Sequence, residues 1–343
     1  MAKTRKVILE VLFEGTDISD EINSGITSFS YTDNLDKADE ISLTIADLDK
    51  KWINSWAPLK GESITPSIKV IEEDGETTLK CGEFSIDKRN FQGPPDTLKI
   101  GALSIDVTSN FNRVKKNRAI ENTTLKAVCE KISDENELTL VFLSEEDEDI
   151  NRVEQIEETD STFLYQLAKD YAKSLKVLDK KLVIFDEEEY ESKDAIKTIK
   201  KTEVKSYSFG DEEFDTWDGF EINYFDQDLK ETLTASGTLE FRDGYKDNTN
   251  RILKLNDSYS VSGSKEEKEK QLEAVGWAKL REKNKAEVQG EISLMGDVDI
   301  VAGVVIKTSG FGIYDYKYLV TQAVHSTGSG YNTKIKIRRV LDF

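Results

Sequence analysis

The feature that most constrains this chain is a period of two near its N-terminal end. Ile41, Leu43 and Ile45 alternate with polar neighbours, which is the spacing of a strand with one face buried. Ile68-Lys69-Val70 and the segments 79–86 and 98–105 predict further strands. Asp74-Gly75 reads as a hairpin turn, because glycine tolerates positive φ. Gly93-Pro94-Pro95-Asp96 is a second break, since proline removes a donor from the strand ladder. Short strands punctuated in this way imply a barrel or a strongly curved sheet.

The pattern then changes to a helical one. Leu125, Val128, Cys129 and Ile132 follow the i, i+3, i+4, i+7 rule and line one helix face, with Asn122 or Thr123 as the expected N-cap. A second helix is expected behind Asp160 as N-cap, with Leu164, Leu167, Ala168 and Tyr171 on its apolar face. Val177-Leu178 and Leu182-Val183-Ile184-Phe185 predict a hairpin. From about residue 201 strands return, interrupted by one helix over 264–286. Ser264 and Glu267 have the spacing of a capping box. Leu272, Val275, Trp277, Ala278 and Leu280 give that helix a broad apolar arc. Gly276 lies inside the arc and costs about 1 kcal/mol of helix propensity, so a close approach to a sheet is the expected reason for it. The expectation is a mainly β protein with an α+β insert: a first barrel domain over 1–112, an α+β domain over 113–200, and a second barrel domain over 201–343.

A length of 343 residues suits two or three domains rather than one small core. With 37% hydrophobic and 33% charged residues, the balance is that of a globular chain with a large solvated surface. No apolar run approaches the roughly 18 residues that span a bilayer, so no membrane segment is expected. Basic Met1-Ala2-Lys3-Thr4-Arg5-Lys6 is followed only by Val7-Ile8-Leu9 before Glu10, too short an apolar run for a signal peptide. Synthesis in the cytoplasm, without export by the general pathway, is the expectation. The net charge of −20, from 47 basic and 67 acidic residues, repels phosphate backbones and argues against stable nucleic-acid binding. Acidic clusters at 145–149, 186–189 and 211–215 read as solvated surface. Cys81 and Cys129 occupy apolar positions and read as buried free thiols.

Candidate chemistry is sparse. His325 is the only histidine and lies in a predicted strand, so a Ser-His-Asp or Cys-His arrangement would have to use it; a structural or surface role is the reading. Any pair among 67 acidic residues could be fitted to a glycosidase, which makes that signal unspecific. Asp147, Asp149, Asn151 and Glu158 have calcium-loop spacing. Arg152 stands where the turn needs glycine, however, and Glu154 where an apolar residue is usual, so a solvated loop is expected. Gly310-Phe311-Gly312 resembles half of a phosphate loop, but no helix opens after it to hold an anion; the glycines read as turn residues. No catalytic, cofactor-binding or metal-binding residues are assigned, and no cofactor is expected.

Several stretches resemble the late control protein D family of contractile phage tails. Ala38-Asp39-Glu40-Ile41-Ser42-Leu43-Thr44-Ile45-Ala46-Asp47 is similar to that family's alternating strand, and leads into Trp52, Trp56-Ala57-Pro58 and Lys60-Gly61-Glu62. Gly82-Glu83-Phe84-Ser85-Ile86-Asp87 resembles its next strand. The most specific match is Gln155-Ile156-Glu157-Glu158-Thr159-Asp160-Ser161-Thr162-Phe163-Leu164, continuing to Leu167-Ala168 and Tyr171. Towards the C-terminus, Ala302-Gly303, Gly310-Phe311-Gly312, Tyr318, His325 and Gly330-Tyr331-Asn332-Thr333 keep the family's order. An Asp-Gly turn common in the family is missing near Tyr314-Asp315-Tyr316-Lys317.

The resemblance implies a non-enzymatic baseplate hub, with two tube-like β-barrel domains flanking the small α+β domain. It implies a homotrimer whose barrels form a ring between the sixfold tail tube and the threefold spike of a phage tail, tailocin or related injection system. The partners it implies are the tail tube protein, spike protein, baseplate wedge proteins and tape-measure protein, in a particle made in the bacterial cytoplasm. The competing readings are a tail-associated peptidoglycan hydrolase and a receptor-binding tail module.

Overall fold

Ile41, Leu43 and Ile45 turn inward from the strand Glu40–Ala46, as the alternation requires. The computed structural model describes residues 5–23, 25–73, 75–105, 109–239, 251–256, 261, 263–341 and 343. Asp74 of the expected Asp74-Gly75 turn lies outside the described residues, as do residues 1–4. On either side of that position, Ser63–Glu72 and Gly75–Lys80 pair antiparallel. The strand expected over 79–86 is two strands. Gly75–Lys80 and Phe84–Gln92 are separated at Gly82, whose φ of 98° is open to glycine at little cost.

One antiparallel sheet path runs through most of the chain. It passes from Lys6–Phe13 to Ser63–Glu72, Phe84–Gln92, Thr97–Leu103, Glu40–Ala46 and Ile26–Asn34. This first half curls around a core that includes Val11, Phe29, Leu43, Ile68, Phe84, Ile86 and Leu98. The path continues through Lys317–Thr327, Asn332–Arg339, Val288–Met295 and Val204–Asp211. Its second half has its own core, built on Ile199, Ile292, Ile306, Tyr318, Val320, Ile335 and Ile337. The strand Lys317–Thr327 belongs to both halves. Its first residues pair with Val305–Ser309, and Gln322–Thr327 pair with Phe29–Asn34 of the first half.

Between the halves sits the α+β insert. Lys115–Thr124 pairs antiparallel with Asp149–Thr159. A three-stranded sheet places Lys181–Asp186 between Thr139–Phe142 and Lys173–Leu178. Leu125, Val128, Cys129 and Ile132 of the helix Leu125–Glu135 are all buried, together with Leu164, Leu167 and Ala168 of the helix Asp160–Asp170. Both caps differ from expectation, which gave Asn122 or Thr123 for the first helix and Asp160 for the second. Thr124 caps the first helix, and Thr159, not Asp160, caps the second by accepting the Thr162 N–H. Threonine won because Asp160 is drawn into a buried ion-pair cluster.

The helix expected over 264–286 spans Lys265–Asn284, and Ser264 and Glu267 form the capping box. It packs on a separate three-stranded sheet of Gly219–Asp226, Glu231–Thr238 and Ile252–Leu255 rather than on the barrel-like half. Gly276 faces Phe220 of that sheet, where the ring occupies the space a Cβ would fill. The expected close approach of helix to sheet is therefore present.

Candidate functional site

His325 is wholly buried on Lys317–Thr327. Its Nε2 lies 3.1 Å from the Ile300 carbonyl, which can only accept, so Nε2 carries the proton. Nδ1 then accepts from the Tyr331 hydroxyl at 2.8 Å. Burial pushes the imidazole down to about 4. It is a neutral member of the core, flanked by the rings of Tyr31 and Tyr331.

The calcium-spaced residues do not converge, and the segment is not the solvated loop expected. Asp149 and Asn151 lie on the strand Asp149–Thr159. The pairing of that strand with Lys115–Thr124 takes up its backbone. Asp147 accepts the Lys126 N–H at 2.9 Å in the first turn of a helix, and Asn151 donates to the Val261 carbonyl. Arg152 is paired with Glu121 and Glu154. At Gly310-Phe311-Gly312 the Asp315 carboxylate accepts the N–H groups of Gly310 and Phe311 at 3.0 and 2.8 Å. Both glycines that flank Phe311 have positive φ, as turn residues do. Cys81 and Cys129 are buried free thiols. Burial raises both, Cys129 to about 12. Among the described residues, no group of three or more His, Cys, Asp or Glu is placed to hold a metal ion.

Some buried ion pairs instead join parts of the molecule that are distant in sequence. The cluster at 186–189 is not simply solvated, because Glu187 is buried beside two cations that the sequence places far away. The Arg338 guanidinium from the second half bridges Glu187, at 2.6 Å, and Glu191. Arg281 of the long helix reaches Glu191 at 2.5 Å, and Lys285 stands 3.5 Å from Glu187. Burial opposes ionisation of Glu187. The Lys285 and Arg338 charges and a hydrogen bond from Ser174 outweigh it and hold the carboxyl at about 2. The cluster thus ties the helix Glu187–Ser192, the strand Asn332–Arg339 and the long helix together.

Inside the insert, Asp160 is buried between Lys116 and Arg118, both at 2.7 Å, and also accepts from Asn136 and Gln155. At the junction with the first half, Lys176 reaches Asp33 at 2.5 Å and Asp39 at 3.1 Å. Salt bridges and hydrogen bonds of this kind fix orientation even where their net stabilisation is small.

Four of the exposed large apolar residues share one connection. The connection between Glu40–Ala46 and Ser63–Glu72 carries Leu48 at 82% exposure, Ile53 at 50%, Trp56 at 41% and Leu59 at 60%. This connection is held in place. The Asp47 carboxylate accepts the N–H groups of Trp52 and Ile53 at 3.0 Å each, and Arg89 donates to the Pro58 carbonyl. Buried Trp52 meets Trp56 edge-on with centroids 5.7 Å apart. A fixed loop that shows a tryptophan and three aliphatic side chains to solvent is suited to contact between chains. Sequence reasoning noted Trp52 and Trp56 only as motif residues. The available signal was a set of large apolar residues at no strand or helix spacing.

No family model matches the chain. The whole chain nevertheless has the fold of phage tail proteins. It superposes on the 43 kDa tail protein of prophage MuSo2 from Shewanella oneidensis with a TM-score of 0.68, 14% identity, and coverage of 97% of this chain and 98% of that one. An Escherichia coli component of the type VI secretion system, described as similar to the T4 tail proteins gp27 and gp5, aligns with a TM-score of 0.57 and 12% identity. That alignment covers 99% of this chain and 78% of the other. In sequence, the chain is 28% identical over 169 residues to the probable baseplate hub protein of Escherichia phage 186, covering 49% of this chain and 42% of that relative. Over about half its length the chain is thus similar in sequence to a baseplate hub protein, in line with its resemblance to the late control protein D family. Less than half the length of that relative is spanned.

Proposed function

We propose that this chain is a structural subunit of a baseplate hub, the adapter between tail tube and spike in a contractile tail or related injection system. The observation that carries the reading is coverage. The tail-protein fold accounts for 97% of the chain, and the sequence relative is itself a probable baseplate hub protein. A mainly β frame with a rigid, exposed apolar loop and charge-locked junctions is built to hold shape and make contacts. The proposed division is 1–112 and 201–343 as the two tube-like domains, with 113–200 as the insert.

The chain acts without catalysis, as a homotrimer that contacts tube, spike, wedge and tape-measure proteins in the tail of a phage or tailocin. Three chains of −20 carry about −60. An axial channel walled mainly by Asp and Glu would repel a passing nucleic acid and keep the passage open. Deleting the gene tests the reading. Particles should fail to join tube to spike, and light scattering of the purified chain should give the mass of three copies. Intact particles that no longer adsorb would point to a receptor-binding module, and cell-wall clearing in a zymogram to a hydrolase.

A further inference from the structure

Lys176 lies on the insert strand Lys173–Leu178 and enters a pocket of the first half lined by two carboxylates. Asp33 and Asp39 are both almost fully buried. The second oxygen of Asp33 accepts the Ala302 N–H at 2.8 Å, so the same carboxylate also holds the second half. Asp39 accepts the Asn34 N–H at 2.9 Å. Its own N–H goes to Ser104 Oγ, which donates in turn to the Val177 carbonyl beside Lys176. Two carboxylates and one ammonium therefore join all three parts at one point.

The cluster has one negative charge too many when both carboxyls are ionised. The groups facing it do not supply a second cation. Tyr31 places its hydroxyl 3.4 Å from Asp39, and the Cys81 thiol acts on the same pair. His325 faces Asp33 but is held neutral by burial. Tyr165 and the acidic Asp36 face from the insert side and the connecting loop, and Tyr190 lies near Lys176. An unbalanced buried charge is costly, and taking up one proton removes it.

We propose that Lys176, Asp33 and Asp39 form a proton-sensitive latch that holds the insert against both β halves more firmly below neutral pH than above it. One proton from solvent adds to Asp39 and removes the excess negative charge. Burial, partly offset by Lys176 and reinforced by Asp33, raises the Asp39 carboxyl to about 7. The ordinary value for aspartate is 3.8. The folded protein therefore binds more protons than the unfolded chain between these values, and the latch weakens as pH rises through that window.

Hydrogen exchange of the amides in Lys173–Leu178, corrected for intrinsic rates, tests this at about pH 5.5 and about pH 8. Opening of the wild-type junction should be favoured on the order of tenfold at the higher pH. In Asp39→Asn the amide cannot ionise, Lys176 keeps Asp33, and the part of the pH difference that belongs to Asp39 should disappear. Comparing wild type with Asp39→Asn at each pH cancels contributions that both share, including that of His325. Lys176→Met should open more readily than wild type at both pH values. If that variant fails to fold, the Asp39→Asn comparison still decides. The same pH difference in Asp39→Asn as in wild type overturns the proposal.

Discussion

The ring of Phe220 occupies the space that a side chain on Gly276 would need. Gly276→Ala would gain about 1 kcal/mol of helix propensity and lose about 1–3 kcal/mol to overpacking. Because Phe220 is itself fully buried, the ring has little room to yield, and net destabilisation is expected. Chemical denaturation should show a lower midpoint for Gly276→Ala, and a smaller loss when Phe220→Leu is present. A rise in stability for the single variant would mean that helix and sheet are less closely packed.

Asp160 and Thr159 divide a role that the sequence assigned to Asp160 alone. Thr159→Ala should cost about 1 kcal/mol, the value of an N-cap. Asp160→Ala removes the buried carboxylate that Lys116, Arg118, Asn136 and Gln155 share, although Lys116 and Arg118 keep Glu135 at 2.9 and 2.8 Å, and should cost about 2–3 kcal/mol. Burial works against the Asp160 carboxylate, but hydrogen bonds from Lys116, Asn136 and Gln155 and the Arg118 charge hold it below the usual carboxylate range. Its contribution is therefore complete above the unfolded value and is lost as pH falls through the folded one. Equal losses for the two substitutions in urea melts would count against this division.

Leu167 faces the insert core at 5% exposure. Leu167→Ala should cost about 2–5 kcal/mol through lost burial and a residual cavity. Thermal melts of the two proteins are the check, and coincident curves would place the helix in another register.

His325 should make the fold acid-sensitive. Its folded value of about 4 lies below the ordinary 6.5. Between those limits the unfolded chain takes a proton that the native core refuses, so stability falls as pH drops through that interval. The displacement corresponds to about 3 kcal/mol. In His325→Gln this part of the pH dependence should vanish from denaturant midpoints, although the variant is less stable overall. Retention of the full slope would assign it to another group. The trend opposes that of Asp39, so the two partly cancel in the global stability of the wild-type protein.

Much of the architecture was legible where one face of an element is buried. Ile41, Leu43 and Ile45 announced their strand, and Leu125, Val128, Cys129 and Ile132 their helix, because burial imposes a period. The capping box at Ser264 and the packing glycine at Gly276 were readable for the same local reason. What could not be read depends on distant partners. Asp160 follows the grammar of an N-cap, and only the approach of Lys116 and Arg118 moves it inside. Glu187 sits in an acidic run that composition assigns to water, while Arg338, some 150 residues away, makes its burial tolerable. The strand at Asp149–Thr159 was hidden by its charge, because its exposed face is almost all polar. The Leu48–Leu59 surface escaped because interface residues obey no internal period.

The strand Lys317–Thr327 changes neighbours part-way along its length, where its register with Asn332–Arg339 shifts between Val320 and Gln322. A pull that separates the two halves along this strand would load the Gln322–Thr327 ladder in shear. Its bonds to Phe29–Asn34 would then have to fail together, rather than opening one after another as in peeling. The joint between the halves therefore resists such a pull as a unit rather than bond by bond.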